Sequence, residues 1–234
     1  MTQIFNLRKI GISLAMLAVV GLGSVVAAKA DTITFSLTNP NFGGFTSPYG
    51  SVLVNRTSLT TATLTFTADQ SHAGLTYLFG AQGAAGANFN LGAGSVALTG
   101  TPTFTNGGGG TAFTSGGAAN EDGFGSFNFT LDNFDGFSDA VTSVTFSVTL
   151  SGSTWATAAD VLTPNANGNS VAAHIFICGS SPCDRSNPAL LTGYVTDGPN
   201  PAAVPEPASM LLLGTGLAGL AGAVRKRRKA NKAK

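Results

Sequence analysis

The sequence predicts an all-β protein, an antiparallel β-sandwich with a jelly roll among its admissible forms, flanked by a signal peptide and a C-terminal transmembrane helix. Three observations predict the sandwich. Between residues 31 and 197 apolar side chains recur at every second position, with Thr and Ser between them, which is the pattern of strands with one face buried. Gly, Asn, Asp and Pro clusters punctuate these runs at short intervals, as turns require, and supply Gly-rich loops. No apolar stripe of helical period runs through the same stretch.

Residues 1–30 read as a secretory signal peptide. Arg8 and Lys9 form its charged start, and residues 10–26 are apolar. Ala28 and Ala30 then place small side chains where a signal peptidase reads them, so cleavage is expected between Ala30 and Asp31. The competing reading is an uncleaved anchor. An exported β-rich domain is expected over residues 31–197. Ile33, Phe35 and Leu37 share one strand face, as do Ala62, Leu64 and Phe66. The same holds for Phe127, Phe129 and Leu131, and for Val144, Phe146, Val148 and Leu150. Further strands are expected at 51–55, 75–79, 95–99, 171–178 and 190–196, where Val, Thr and aromatic residues favour a pleated surface. Residues 105–123, "TNGGGGTAFTSGGAANEDG", can bury almost nothing and are expected to form a long mobile surface loop.

A Pro-rich spacer, residues 198–204, leads to a C-terminal segment, 205–234. Within it residues 208–224 form 17 positions without a charge. A helix there would span roughly 25 Å at about 1.5 Å per residue, the short end of what crosses a bilayer. Arg225, Lys226, Arg227, Arg228 and Lys229 open a basic tail, 225–234, which stays on the cytoplasmic side. The helix would therefore run from outside to inside, the topology that a cleaved signal peptide also dictates.

These last residues resemble a known address. Pro205, Glu206 and Pro207, then a short Gly-containing apolar helix, then an Arg-rich tail, are similar to a PEP-CTERM sorting signal, with all three parts in order. The resemblance covers only the C-terminal segment. It implies a Gram-negative bacterium and recognition by an exosortase, a membrane-embedded transpeptidase-like protease. It also implies cleavage near the motif, release or transfer to the cell surface, and association with exopolysaccharide. The segment "TPNANGNSVAAHIFIC", with "LLTGYVTDG" after it, is similar to the ends of other exported PEP-CTERM proteins of unknown role, which implies a shared fold element and no chemistry.

Charge distribution excludes one partner class. Between residues 31 and 204 stand two basic and ten acidic residues, a net −8, so the footprint that nucleic acid requires is missing there. Candidate sites are few. Cys178 and Cys183, in "CGSSPC", are an isolated pair that outside the cell is expected to form a disulfide. Asp132, Asp135 and Asp139 form an acidic turn in which calcium is conceivable, with Glu121 and Asp122 as helpers, although the spacing does not fit an EF-hand. A solvated hairpin turn explains the same residues, and no metal is assigned. His72 and His174 lack metal spacing, and His174 reads as a hydrogen-bonded strand residue. Trp155 is either a sugar-stacking platform or a core residue. Gly92, Gly94 and Ala97 fit a dinucleotide fingerprint formally, but strand and turn follow where a helix would be needed. No serine-hydrolase elbow is present, and a catalytic carboxylate pair stays open, because spatial pairing is invisible in sequence.

The expectation is thus a non-enzymatic exported protein without cofactor, structural or adhesive, touching exopolysaccharide. Signal peptidase and exosortase process it, and the membrane holds it only through the C-terminal helix before processing. The alternative is a carbohydrate- or calcium-binding module, with a polysaccharide-active enzyme third.

Overall fold

The computed structural model describes residues 31–80, 85–105, 113–132, 137, 140–179 and 189–198. Residues 1–30 and 199–234 therefore lie outside the described residues, as do Cys183, Asp135 and Asp139. Two antiparallel sheets pack face to face. The first holds β1 (Asp31–Leu37), β3 (Gly50–Arg56), β4 (Thr61–Ala68), β10 (Ser143–Ser151) and β7 (Ser95–Thr105), in that spatial order. The second orders β2 (Asn39–Pro40), β12 (Leu191–Thr196), β11 (Val171–Cys178), β6 (Ala85–Ala87), β9 (Gly125–Asp132) and β8 (Thr114–Glu121). β5 (Thr76–Phe79) pairs with one half of β11 and β6 with the other half of the same side, so the two act as one interrupted strand. Among the described residues no closed barrel forms.

The alternating pattern decides which face goes inward. Ile33, Phe35 and Leu37 of β1, Leu64 and Phe66 of β4, and Val144, Phe146, Val148 and Leu150 of β10 all enter one core, which Phe129 and Leu131 of β9 and Ile175 and Ile177 of β11 meet from the other sheet. A chain of rings crosses this core. Trp155 lies 6.1 Å from Phe89, which meets Phe129 edge-on at 5.5 Å. Phe129 stacks on Phe146 at 5.4 Å, and Phe146 on Phe66 at 6.1 Å. Each such pair adds about 0.5–1.5 kcal/mol beyond the area it buries. Trp155 is 1% exposed and donates its indole N–H to the Asn90 carbonyl at 2.8 Å, so it is a core residue and cannot serve as a sugar platform.

One expectation is corrected. Part of the Gly-rich stretch 105–123 is a strand: β8 runs through "TSGGAANE" and pairs with β9, and β7 extends through Thr105. Thr114 to Asn120 are exposed on both sides, so no apolar period could announce the strand. Backbone pairing with β9 creates it, with register irregularities on either side of Gly117, whose φ of +74° favours glycine.

The chain begins its first strand at Asp31, the residue that signal-peptide cleavage is expected to leave first. Its carboxylate accepts from Arg56 Nε at 2.8 Å and from the Ala158 N–H at 2.7 Å, at a short 3-10 turn (Ala158–Asp160). Arg56 is buried on the core-facing side of β3 and Asp31 opposes it in register.

Candidate functional site

Four ionisable groups, Glu121, Asp132, His174 and Tyr194, share the outer face of the second sheet. Four positions bring them there. Glu121 ends β8, Asp132 ends β9, and His174 of β11 faces Tyr194 of β12 across the sheet. Asn residues hold the hairpin tip. Asn165 and Asn169 donate to the Phe124 carbonyl, each at 3.0 Å, and Asn41 donates to the Asp122 carbonyl at 3.0 Å. Asn165 also accepts from the N–H groups of Asn167 and Asn169, which folds "NANGN" into a compact clamp.

Glu121 is 1% exposed and lies over Gly86 of β6, where a Cβ would stand 3.1 Å from its Cγ. Its Oε1 has no hydrogen-bond partner. Burial, reinforced by the negative charge of Asp132, pushes the Glu121 carboxyl up to about 8. At neutral pH Glu121 is therefore a neutral acid. Thr130, also fully buried, stands in register with Gly86 and donates to the Gly117 carbonyl at 3.2 Å. Both Asp132 and Thr130 occupy the space above Gly116 that a Cβ would take.

His174 stacks on Tyr194 with ring centroids 4.7 Å apart. Its Nδ1 meets the Gly80 carbonyl at 2.8 Å and its Nε2 meets the Thr192 hydroxyl at 2.7 Å. Both ring nitrogens are thus engaged within the sheet, and burial lowers the His174 pKa against the pull of the Gly80 carbonyl. Burial first, then the charges of Glu121, Asp122 and Asp132, push the Tyr194 phenol up to about 12. The arrangement can hold a proton at Glu121, and it keeps His174 and Tyr194 neutral at physiological pH.

The sequence-derived candidates distribute unevenly over this face. Asp132 belongs to it, whereas Asp135 and Asp139 lie outside the described residues, so the structure does not display the acidic turn as a unit. Of the helpers, Glu121 is buried and Asp122 exposed. Among the described residues no group of three His, Cys, Asp or Glu side chains is placed to hold a metal ion. His72 stands apart, its Nδ1 3.6 Å from Asp69. Cys178 is buried at the end of β11 and is not a free thiol. Sequence reasoning missed Tyr194 and the burial of Glu121. The stretch 105–123 carries no apolar period, and nothing else in it marks Glu121 as the single buried side chain of β8.

An antiparallel two-sheet domain with few basic residues thus precedes a C-terminal segment of a different kind. Residues 203–228 of that segment match the family model of the PEP-CTERM protein-sorting motif. The chain carries this sorting motif, which implies export to the cell envelope or surface and processing by an exosortase. It has no match among curated proteins or among solved structures. Among the described residues no helix is long and apolar enough to cross a membrane, and the expected helix, 208–224, lies outside them.

Proposed function

We propose that this is a non-enzymatic surface or matrix protein, structural or adhesive, that associates with exopolysaccharide after exosortase processing. The sorting motif at residues 203–228 carries the reading. The rest of the chain supports it. The residues that could have done chemistry serve the fold: Trp155 fills the core, and His174 has both nitrogens engaged by Gly80 and Thr192. Signal peptidase cuts before Asp31, the 208–224 helix holds the chain in the inner membrane for a time, and exosortase then cuts near Pro205, Glu206 and Pro207. Intact-mass and terminal-peptide analysis of the surface form tests this. The expected form begins at Asp31 and lacks everything from about Ala208 onward, a boundary that follows from the placement of the motif. Peptides from the basic tail still joined to the surface form would make the segment a permanent anchor and overturn the reading.

Export also bears on the cysteines. Cys178 and Cys183 are the chain's only two, and Cys178 is not a free thiol. The proposal includes a Cys178–Cys183 bridge, which closes a small loop at the end of β11. Thiol labelling of the unreduced, denatured exported protein is expected to find no reactive cysteine. Two labelled cysteines would refute the bridge.

A further inference from the structure

The outer face of the first sheet is a lattice of hydroxyl groups. Strand register aligns them in ranks across all five strands. One rank reads Ser36, Ser51, Thr67, Ser143, Thr105. The next reads Thr34, Leu53, Thr65, Thr145, Thr103, and the third Thr32, Asn55, Thr63, Ser147, Thr99. Every position in the three ranks except Leu53 and Asn55 carries a hydroxyl, and none is ionisable. Neighbours within a rank are about 4.8 Å apart, and ranks are about 6.7 Å apart. The face lies open: each of these side chains is exposed or half-buried. The second sheet differs, because its outer face is covered, with Leu78 and Phe176 buried in one cluster and Phe127 and Ala172 in another.

Two features distinguish this array from ordinary solvation. A sheet exposed to water generally carries charges of both signs, which hold a surface soluble and apart from its neighbours. Here the outward-facing positions of these ranks, across five adjacent strands, carry none. The hydroxyls are also ordered among themselves. Thr63 meets Ser147 at 2.8 Å, Thr65 meets Thr145 at 3.0 Å, and Thr99 meets Thr149 at 2.8 Å, each pair bridging two strands. A hydroxyl has one proton and two lone pairs, so in each pair one proton is spent and one stays available, beside unused acceptors. The ranks thus offer donors and acceptors at regular intervals, and their threonines, which are β-branched, turn stiffly about χ1. A rigid array loses little entropy when it binds.

We infer that this face is a docking surface for an uncharged, extended polyhydroxylated chain, a neutral polysaccharide laid across the threonine ranks. Electrostatic complementarity selects the occupant. A polyuronate or a sulfated glycan would bring charges that meet no counter-charge on the face and would lose their hydration there. A neutral polyol exchanges its own hydroxyl bonds to water for equivalent bonds to threonine. Weak bonds repeated along the ranks accumulate. The inference deepens the proposed association with exopolysaccharide and rests on that reading.

The test is depletion of the full exported protein onto insoluble cellulose, a neutral glucan, with alginate as the anionic probe. Retention on cellulose that high salt leaves unchanged, with none on alginate, is the expected result. The combined variant Thr63→Val, Thr65→Val, Thr145→Val, Ser147→Ala keeps side-chain size and strand preference, and is expected to bind roughly tenfold more weakly or worse. Thr65→Lys, which places one charge in the centre of the face, is the second variant should the first fail to fold, and is expected to lose binding likewise. Undiminished cellulose binding by folded variants would leave the exopolysaccharide association standing and exclude this face. Absence of cellulose binding by a chain that is still processed and found outside the cell would leave the sorting reading standing and remove the neutral polyol as partner. Salt-sensitive retention on alginate, or a dimer that the variants disrupt, would equally overturn the inference.

Discussion

At the scale of the residue, Glu121 carries the most consequence. It is buried over Gly86 with one oxygen unpartnered, and its carboxyl titrates near 8 in the folded chain against an ordinary value of 4.5. Between those values the folded chain binds a proton that the unfolded chain has released. The stabilisation is complete below about pH 4.5, declines as pH rises, and is gone above about 8. Glu121→Gln keeps the shape and removes the titration. Thermal unfolding of the wild type is expected to lose stability from pH 5 to pH 9, on the order of a few kcal/mol, while Glu121→Gln stays comparatively flat. Parallel profiles for the two proteins would show that Glu121 is ionised throughout and solvated by water. Glu121 itself was visible in the sequence as an acid in a Gly-rich stretch. Its burial was not, because it depends on Gly86 of β6, a strand thirty-odd positions away in the chain that joins β8 in the sheet through β9.

At the scale of the element, β8 shows what pairing does without a hydrophobic pattern. Its exposed residues contribute almost no burial, so its position rests on backbone hydrogen bonds to β9, the Asn clamp at the hairpin tip and the fit of Gly116 beneath Asp132 and Thr130. Gly116→Ala puts a methyl group where those two side chains already are. The expected outcome is a loss of about 1–3 kcal/mol and faster amide exchange confined to β8 and its pairing partner. Native exchange rates in a Gly116→Ala protein would mean that Asp132 and Thr130 can yield. The strands with strict alternation, β1, β4 and β10, were legible because burying one face fixes their period. β6 was not: "AGA" carries no strand preference, and its burial on both sides comes from β9, β11 and what lies across the core.

At the scale of the whole molecule, the two ends and the middle obey different physics. In the proposed processing route the basic tail acts through the membrane, where dense positive charge resists translocation. Replacing Arg225, Lys226, Arg227 and Arg228 with Gln is expected to reduce the processed surface form severalfold, read by immunoblot of membrane and medium fractions, while the purified domain's thermal midpoint stays put. Unchanged processing would show that the apolar run alone halts the chain. The sequence by itself determined the address and the all-β class. Both are local: a motif of contiguous residues is read in order by another protein, and a two-residue period needs nothing beyond its own strand. The tertiary structure alone decided that Trp155 and Glu121 are buried. It alone brought threonines and serines from five strands into common ranks. Those outcomes depend on strand register and on which sheet each strand joins, and they bring together residues as far apart as Thr32 and Ser147. No local pattern records such pairings, because their free energy arises only when distant segments meet.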